Sequence, residues 1–548
     1  MTNKEIARPL KETAALLELT GGNPFRARAF ANAARTIERM DERLSEQTDV
    51  TEIQGIGKGL ASQIAEILER GSFDVRDDLL GSIPPGIMDV LKVKGLGAKK
   101  ARVLWKSLGI QTLDELEAAA LAGRIADLDG FGARSQESIL ENIVLLRSYM
   151  GRRRLADAAP FLPYITSELE GYTTRVTGDA RRHLNDVERL DLLVETDDGD
   201  IPGRLMWLMD AETGEEHGLR WVEGTIEGGM TVRLTACVPS DAGRALAITT
   251  GPAAFAEKLA RTPPSDSEQD AFKEAGLTWI DPGLRDMDGA VDRTDALASL
   301  HLVTVEDLHG CLHNHSTYSD GAHTLKEMAD ACRSRGYSYL GICDHSQSLK
   351  VANGMDVKTV KRQQAEIKAL NEAYALDGGP EFKIFSGVES DILNDGSLDY
   401  EEEVLASFDF IVASVHTGFN MSEAAATERL VTAIKNPYTS ILGHPTGRLI
   451  LRREGYPIDH EAVLQACAAH GVAIELNANP WRLDLDWTWV ERARQLGVPV
   501  SINPDAHAID QIDLTAWGVR AARKGGLQVP ECLNALSLAE FTAWIARS

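Results

Sequence analysis

The spacing of apolar residues over positions 1–150 predicts short helices separated by glycine turns. Apolar side chains recur every three or four positions, as at Ala14 and Leu17, and again at Ile64, Ile67 and Leu68. This is the period of one helix face, and runs of β-branched residues that would favour strands are almost lacking. The segment is therefore predicted to be all-α.

Strand-like patterns begin after residue 150. Apolar residues alternate or cluster in two predicted strands, Asp191 to Glu195 and Met230 to Val238. The segment between them is rich in Gly, Asp and Glu. Residues 241–300 return to helix and loop patterns, and their polar, proline-bearing stretch from Thr262 to Asp270 is predicted to be a linker.

A regular alternation of strand and helix patterns fills the chain from Asp307 onward. Helical stretches separate most of the short apolar runs, which predicts parallel strands in an α/β barrel. The predicted strands are Tyr339–Cys343, Lys383–Gly387, Phe408–Val415, Thr439–Leu442, Val472–Leu476 and Pro499–Ile502.

Three glycine hairpins recur in the helical segment, each with an apolar residue between two glycines. The candidate DNA-binding residues are Gly55, Gly57 and Lys58 in the first copy and Gly95, Gly97, Lys99 and Lys100 in the second, and the third copy is Gly130-Phe131-Gly132-Ala133. A hairpin before a helix can point backbone N–H groups at a phosphate. A single copy is equally well explained as a plain helix-turn glycine, but three copies favour helix-hairpin-helix binding of the DNA backbone, without base specificity.

Composition at first argues against this DNA partner. The 548 residues carry 57 basic and 83 acidic side chains, a net charge of −26. Residues 1–111, however, carry 17 basic and 15 acidic side chains, so DNA is expected to contact the N-terminal segment first. The chain has no apolar run of about 18 residues, no apolar signal core near its start and no Cys-x-x-Cys pair. We therefore expect a cytoplasmic protein without a membrane segment.

The strongest chemical signal is a set of histidines and carboxylates just past the apolar runs. At the carboxyl mouth of a parallel barrel such side chains converge, and their mixture of imidazole and carboxylate suits Mn, Fe or Zn. His313 and His315 are two residues apart, which on an extended strand would place both on one side. The candidate metal ligands are His313, His315, Asp320, His345, Glu389, His416, His444, Asp505 and His507.

These motifs resemble a known family. LHNHSTYSDG, CDH, GVESDI, VHTGF, GHPTGR, ELNANP and NPDAH resemble the polymerase-and-histidinol-phosphatase (PHP) phosphoesterase domain. NPFRARAFANAARTI, GRRRLADA, GDARR and TWIDPGLRD resemble bacterial family X DNA polymerases, which carry that domain at the C-terminus. The resemblance implies five parts: an 8-kDa-like helical domain (1–75), a fingers-like helix-hairpin-helix domain (76–150), a nucleotidyltransferase-like α+β palm (151–240), a shortened thumb with linker (241–300), and a distorted TIM-like α/β PHP barrel (301–548).

The resemblance also implies a three-metal cluster of Mn²⁺ or Zn²⁺. One metal would be held by His313, His315, Glu389 and Asp505, a second by Glu389, His416 and His444, and the third by Asp320, His345 and His507. Arg448 and Arg482 follow loops that bear ligands, and either clamp phosphate oxygens or brace those loops.

The palm departs from the family pattern. Gly178, Arg181 and Arg182 fit, but Arg189 stands where the first catalytic carboxylate belongs and Arg233 where the third does, so only Asp191 remains. Because an arginine cannot ligate a metal, we do not expect Mg²⁺ or Mn²⁺ to bind there. Asp186 or Glu188 would substitute only through a shifted strand register.

The resulting prediction is a monomeric DNA repair protein with PHP-dependent 3′–5′ exonuclease or phosphodiesterase activity on gapped or 3′-ended DNA, and with weak or lost templated polymerase activity. One alternative is a phosphatase acting on a small phosphomonoester, for which the hairpins would have no use. Another is a non-catalytic DNA-binding scaffold, which would not need a complete ligand set.

Overall fold

The computed structural model describes residues 1–546 except for 2, 39, 41–43, 45–48 and 204. The chain forms two compact units, Met1–Met150 and Gly151–Ser548. No helix of the described residues is long and apolar enough to cross a membrane.

The described residues of the first unit form eight α-helices, as the apolar spacing predicted. They are α1 Asn3–Thr20, α2 Pro24–Glu38, α3 Lys58–Arg70, α4 Asp74–Gly81, α5 Ile87–Lys92, α6 Ala98–Leu108, α7 Leu113–Leu121 and α8 Ala133–Tyr149. Their apolar faces bury two clusters, one around Phe30 and Ile64 and the other around Leu104 and Ile143.

The second unit begins with a two-stranded ribbon and a five-stranded sheet. The elements are β1 Arg153–Arg154, α9 Leu155–Ala158, α10 Leu162–Glu168, β2 Thr173–Thr177, α11 Gly178–Arg181, β3 Asp186–Val187, β4 Arg189–Glu195, β5 Met209–Glu216, β6 Leu219–Ile226 and β7 Met230–Cys237. The sheet order is β2-β4-β7-β6-β5, and β4 and β7 are parallel. This pairing sets Asp191 directly beside Arg233.

Four helices of the described residues follow the sheet: α12 Ala242–Thr250, α13 Ala253–Leu259, α14 Glu268–Glu274 and α15 Thr294–Ala298. The stretch from Thr262 to Asp270, predicted to be a linker, is packed against them. The Ser267 side chain caps α14, and a Cβ on Gly243 would come within 2.2 Å of the Ser267 backbone. Glu268 is buried and accepts hydrogen bonds from Arg181 and Arg285. Polar composition misled the linker prediction because these polar groups are satisfied internally.

Every residue from 310 to 503 is described, and the segment forms seven parallel strands in chain order, which confirms the α/β barrel. The strands are β8 Gly310–Asn314, β9 Tyr339–Ile342, β10 Lys383–Asp391, β11 Phe410–Ser414, β12 Ile441–Leu442, β13 Ala473–Asn477 and β14 Val500–Asn503. The helices around and after them are α16 Leu325–Ser334, α17 Val357–Leu376, α18 Glu402–Leu405, α19 Glu423–Ile434, α20 His460–His470, α21 Val490–Gln495, α22 Thr515–Lys524 and α23 Leu538–Ile545.

The amino end of the barrel is closed by the C-terminal helix. Phe541 of α23 is fully buried, and its ring stacks on Tyr339 at 4.7 Å between centroids. With that end filled by apolar side chains, the polar groups of the interior gather at the carboxyl ends of the strands.

Ion pairs tie the sheet and helices of residues 151–298 to the barrel. Asp286 lies 3.1 Å from Arg182 and also pairs with Lys524, which is fully buried at the end of α22. Asp281 pairs with Arg523 at 2.5 Å. Because breaking one partner of a buried pair leaves an uncompensated charge, these contacts fix the sheet and helices of residues 151–298 against the barrel.

Candidate metal centre

All nine predicted ligands lie at the carboxyl end of the barrel. Eight of them form three groups, within each of which the ligand atoms lie within 4.8 Å of one another. The groups are His313, His315 and Asp505; His345, Glu389 and His416; and His315, Asp320, His345 and His507. The ninth, His444, is in none of these groups, but its Nε2 lies 3.0 Å from Glu389. Compared with the assignment that the resemblance implied, Glu389 is absent from the first group, His345 stands in place of His444 in the second, and His315 joins the third. His345 faces two groups: Nδ1 is 2.9 Å from Glu389 and Nε2 is 3.6 Å from Asp320.

His313, in β8, and His315, just after the strand, converge through a bulge and not by simple alternation along a strand. The pairing of β8 with β9 shifts register between Cys311 and Asn314, and His313 has a φ of +54°. The imidazole centroids of His313 and His315 lie 5.3 Å apart. A left-handed conformation at a non-glycine residue is strained, and Asp505 repeats it with a φ of +53°. Strain at two candidate ligands is typical of a functional site.

Glu389 is the centre of the arrangement, with 1% of its surface exposed. Its carboxylate lies 3.3 Å from His313, 2.9 Å from His345, 3.1 Å from His416 and 3.0 Å from His444. Burial raises the pKa of Glu389, but the imidazoles of His416 and His313 outweigh it and hold this pKa well below its ordinary value. The carboxylate is therefore ionised, as a metal ligand must be.

The chemistry of the donor set fits a metal cluster. Several buried side-chain atoms of the cluster form no hydrogen bond of good geometry among the described residues, although some lie close to Glu389; they are His313 Nε2, His315 Nδ1, His345 Nδ1, His444 Nδ1 and Glu389 Oε2. Leaving buried polar atoms unpaired is costly unless another partner, such as a metal ion, satisfies them. Burial lowers the pKa of His315 to about 3, so this imidazole is neutral at pH 7, as a metal ligand must be.

Two carboxylates that sequence reasoning missed orient the candidate ligands. Glu475 Oε1 accepts from His313 Nδ1 at 2.6 Å, and Glu475 Oε2 accepts from the His444 backbone N–H at 2.7 Å. Asp391 pairs with His416 Nδ1. Carboxylate–histidine pairs of this kind fix the ring orientation of metal ligands. The available signal was a charged residue inside a buried run, in ELNANP and GVESD.

The two predicted phosphate-binding arginines have different surroundings. Arg448 donates to the Arg482 and Leu483 carbonyls and pairs with Asp486, so it braces the loops, which is the alternative to a phosphate clamp. Arg482 lies with Nε 3.7 Å from Asp505 Oδ2, at the edge of the metal centre. Of these two arginines, Arg482 is the one that lies at the edge of the metal centre.

The palm residues surround a separate cavity of about 480 Å³. Arg189 Nε donates to Asp191 at 2.8 Å, and Arg233 Nε donates to Glu223 at 2.8 Å. Gly178 remains necessary, because a Cβ there would come within 2.5 Å of the Asp191 carboxylate. Burial raises the pKa of Asp191 even beside Arg189.

The other carboxylates considered for the palm are occupied elsewhere. Asp186 and Glu188 both pair with Arg152. Of the two further family landmarks, Arg181 binds Glu268 and Arg182 binds Asp286. The cavity therefore presents internal ion pairs where a pair of magnesium ions would need free carboxylates.

The glycine hairpins share one geometry. Gly55, Gly95 and Gly130 have φ values of +91°, +87° and +80°, which favour glycine. Gly57 and Gly97 precede α3 and α6 without a side-chain cap. The first backbone N–H groups of these helices are therefore left for another acceptor, and Lys58, Lys99 and Lys100 are exposed beside them.

A seven-stranded barrel with clustered imidazoles and carboxylates at its mouth, joined to a helical hairpin unit, is the architecture of a metal-dependent phosphoesterase linked to a DNA-binding module. Comparison with known families agrees: residues 1–73 match a helix-hairpin-helix domain, residues 87–143 a SAM-like helix-hairpin-helix tandem, and residues 312–479 the PHP domain. The chain is 35% identical over 582 aligned residues to the DNA polymerase/3'-5' exonuclease PolX of Bacillus subtilis (strain 168), with all of both chains covered. The protein belongs to this PolX family, the bacterial family X DNA polymerases with a C-terminal PHP domain.

Two other relatives align with only part of the chain. A probable phosphatase of Thermoanaerobacter sp. (strain X514) is 27% identical over 233 residues, which cover 40% of this chain and 88% of the relative. A probable phosphatase of Caldanaerobacter subterraneus is 35% identical over 135 residues, which cover 23% of this chain and 51% of the relative.

Proposed function

We propose that this protein is a metal-dependent DNA 3′–5′ exonuclease that hydrolyses phosphodiesters at the PHP centre. The observation that carries the proposal is the buried Glu389 carboxylate encircled by four imidazoles, with several atoms of the cluster that form no hydrogen bond of good geometry among the described residues. Gapped and 3′-ended DNA, which are intermediates of DNA repair, are the proposed substrates.

The nine candidate ligands would hold up to three ions, of which Mn²⁺ or Zn²⁺ suits the donor set. Such ions, when bound, lower the pKa of water to give a hydroxide and stabilise negative charge on phosphate oxygens. The chain's own contribution is orientation: Glu475 holds the His313 ring, and Asp391 holds the His416 ring. Arg482 supplies a guanidinium for a phosphate oxygen.

The hairpins would bind the DNA backbone. Their uncapped helix starts offer N–H groups to phosphates, and the exposed lysines beside them add positive charge. Contacts of this kind position a duplex without reading its sequence.

Templated polymerisation is proposed to be weak or lost. Arg189 and Arg233 neutralise Asp191 and Glu223 from inside the cavity, which removes the anionic pocket that two magnesium ions require. Robust primer extension that Asp191→Ala abolishes would overturn this part.

The direct test is to measure the exonuclease rate on 5′-labelled gapped DNA in the presence of Mn²⁺. His345→Ala should reduce the rate by at least about 100-fold, because it removes a group that faces two ligand clusters. His470→Ala, an exposed histidine at the end of α20, is the matched control and should retain full activity. An exonuclease rate of His345→Ala equal to that of the wild type would refute the proposal.

A second candidate is a phosphatase for small phosphomonoesters, which the similarity to the two probable phosphatases favours. Comparing kcat/KM on gapped DNA with that on a nucleoside monophosphate separates the two. Preference for the monophosphate would favour the phosphatase.

A further inference from the structure

The loop after β13 links the metal centre to the palm segment. At its start, Asn477 Nδ2 donates to Asp505 Oδ2 at 3.0 Å. Asn479 then accepts from the Trp481 backbone N–H at 3.0 Å, and the Trp481 carbonyl accepts from Ile450 at 2.7 Å. Hydrogen bonds at both ends of Trp481 hold its backbone in place at the rim of the site.

Trp481 is 44% exposed although it lies in this fixed loop. The Arg154 guanidinium covers one face of its ring, with Cζ 3.1 Å from the ring centroid. Arg154 itself is only 7% exposed and is held by two hydrogen bonds to Asp157, at 2.7 and 2.8 Å. In the described part of the chain no second ring or cation packs on Trp481. The Arg154 guanidinium thus covers one face of the indole, while much of the Trp481 side chain is exposed to solvent.

Cations lie beside this indole. The next residue, Arg482, reaches to 3.7 Å from Asp505. Together with the Arg154 guanidinium on the indole ring, Arg482 places two positive charges at this loop. An anionic chain that enters here meets positive charge next to an exposed aromatic ring, a pairing typical of single-stranded nucleic-acid sites.

We propose that Trp481 stacks on the base of the 3′-terminal nucleotide while Arg482 contacts the adjoining phosphate. Arg154 is a positioning residue that holds the indole from behind. This inference rests on the proposed DNA exonuclease activity and adds the residue that recognises a nucleobase. Stacking accepts every base, because each has an aromatic face, so the site would remove nucleotides of any sequence.

The test uses two single-stranded oligonucleotides that differ only at the 3′ end, one with a terminal thymidine and the other with an abasic tetrahydrofuran. For the wild type, kcat/KM should be on the order of ten-fold higher with the base. Trp481→Ala should bring this ratio to about one while its rate on the abasic substrate is retained, and Trp481→Phe should keep most of the preference. Tyr164→Ala, another exposed aromatic at 41%, is the control that should leave the ratio unchanged.

Each other outcome counts against the inference. An unchanged ratio in Trp481→Ala would show that the ring only packs against Arg154. Loss of both rates in a folded Trp481→Ala protein would show that the residue supports the metal centre and not the base. A wild type that cleaves neither oligonucleotide but hydrolyses a monophosphate would refute the proposed exonuclease itself, and this inference with it.

Discussion

Replacing Glu475 by glutamine should weaken the metal centre without touching a candidate ligand. The carboxylate is fully buried and meets three donors: His313 Nδ1 and Asn503 Nδ2 at Oε1, and the His444 backbone N–H at Oε2. Glutamine has one acceptor oxygen and one NH₂ group, so at least one of these donors must face another donor. The size of the side chain is preserved, and the change therefore isolates hydrogen bonding and charge.

The expected loss has two parts. Losing the partner that orients a ligating histidine costs about 10- to 100-fold in metal affinity, or about 1.4 to 2.8 kcal/mol. The donor left unpaired in the core adds about 1 to 3 kcal/mol to the cost of folding. The structure thus predicts weaker metal binding together with a lower unfolding temperature of the metal-free protein.

The assay is titration of metal-free protein with Mn²⁺ in competition with a chelating dye, followed by exonuclease rates at each Mn²⁺ concentration. Glu475→Gln should need about 10- to 100-fold more Mn²⁺ for half-maximal rate and should recover much of kcat at saturation. Glu461→Gln is the matched control, because Glu461 pairs with Arg492 on the surface at 2.5 Å. Equal Mn²⁺ requirements for wild type and Glu475→Gln would refute the orienting role.

Three further outcomes are expected. The double variant Arg189→Asp/Arg233→Asp should bind more Mn²⁺ per chain than wild type, because it surrounds the palm cavity with carboxylates; equal stoichiometry in calorimetric titration would contradict this. Lys99→Ala/Lys100→Ala should weaken DNA binding equally for unrelated sequences and reduce the salt slope by up to about 2, whereas a sequence-dependent loss would oppose backbone contact. Burial raises the pKa of Glu268, but its two arginine partners lower it to about 2. The stabilisation by ionised Glu268 should therefore be complete above about pH 4.5 and be lost as the pH falls toward 2. The unfolding free energies of the wild type and Glu268→Gln should then converge in acid. A difference between them that does not change with pH would contradict this prediction.

The sequence predicted the barrel because its strands are continuous apolar runs that end in polar residues, a pattern that depends only on local order. His313 shows the limit of local sequence patterns. The alternation of side chains along a strand correctly predicted that His313 and His315 lie close together, but a bulge and a positive φ at His313 bring the two side chains together. Glu475 could not be assigned from pattern, because its role depends on a histidine 162 positions away. The same holds for Arg154 and Trp481, whose contact joins two parts of the fold.

Part of the acidic excess of the chain, whose net charge is −26, is explained by ion pairs with the barrel. Asp281 and Asp286 neutralise Arg523 and the buried Lys524 of the barrel, so part of the negative charge near the palm is fixed in internal pairs. The segment 151–240 also holds Arg154 against Trp481, at the edge where the 3′ end is proposed to bind. If templated polymerisation is lost, as proposed above, this segment would still support hydrolysis at the barrel. It follows that variants which loosen the Asp286–Lys524 pair should reduce the preference for a terminal base more than the hydrolysis of an abasic end.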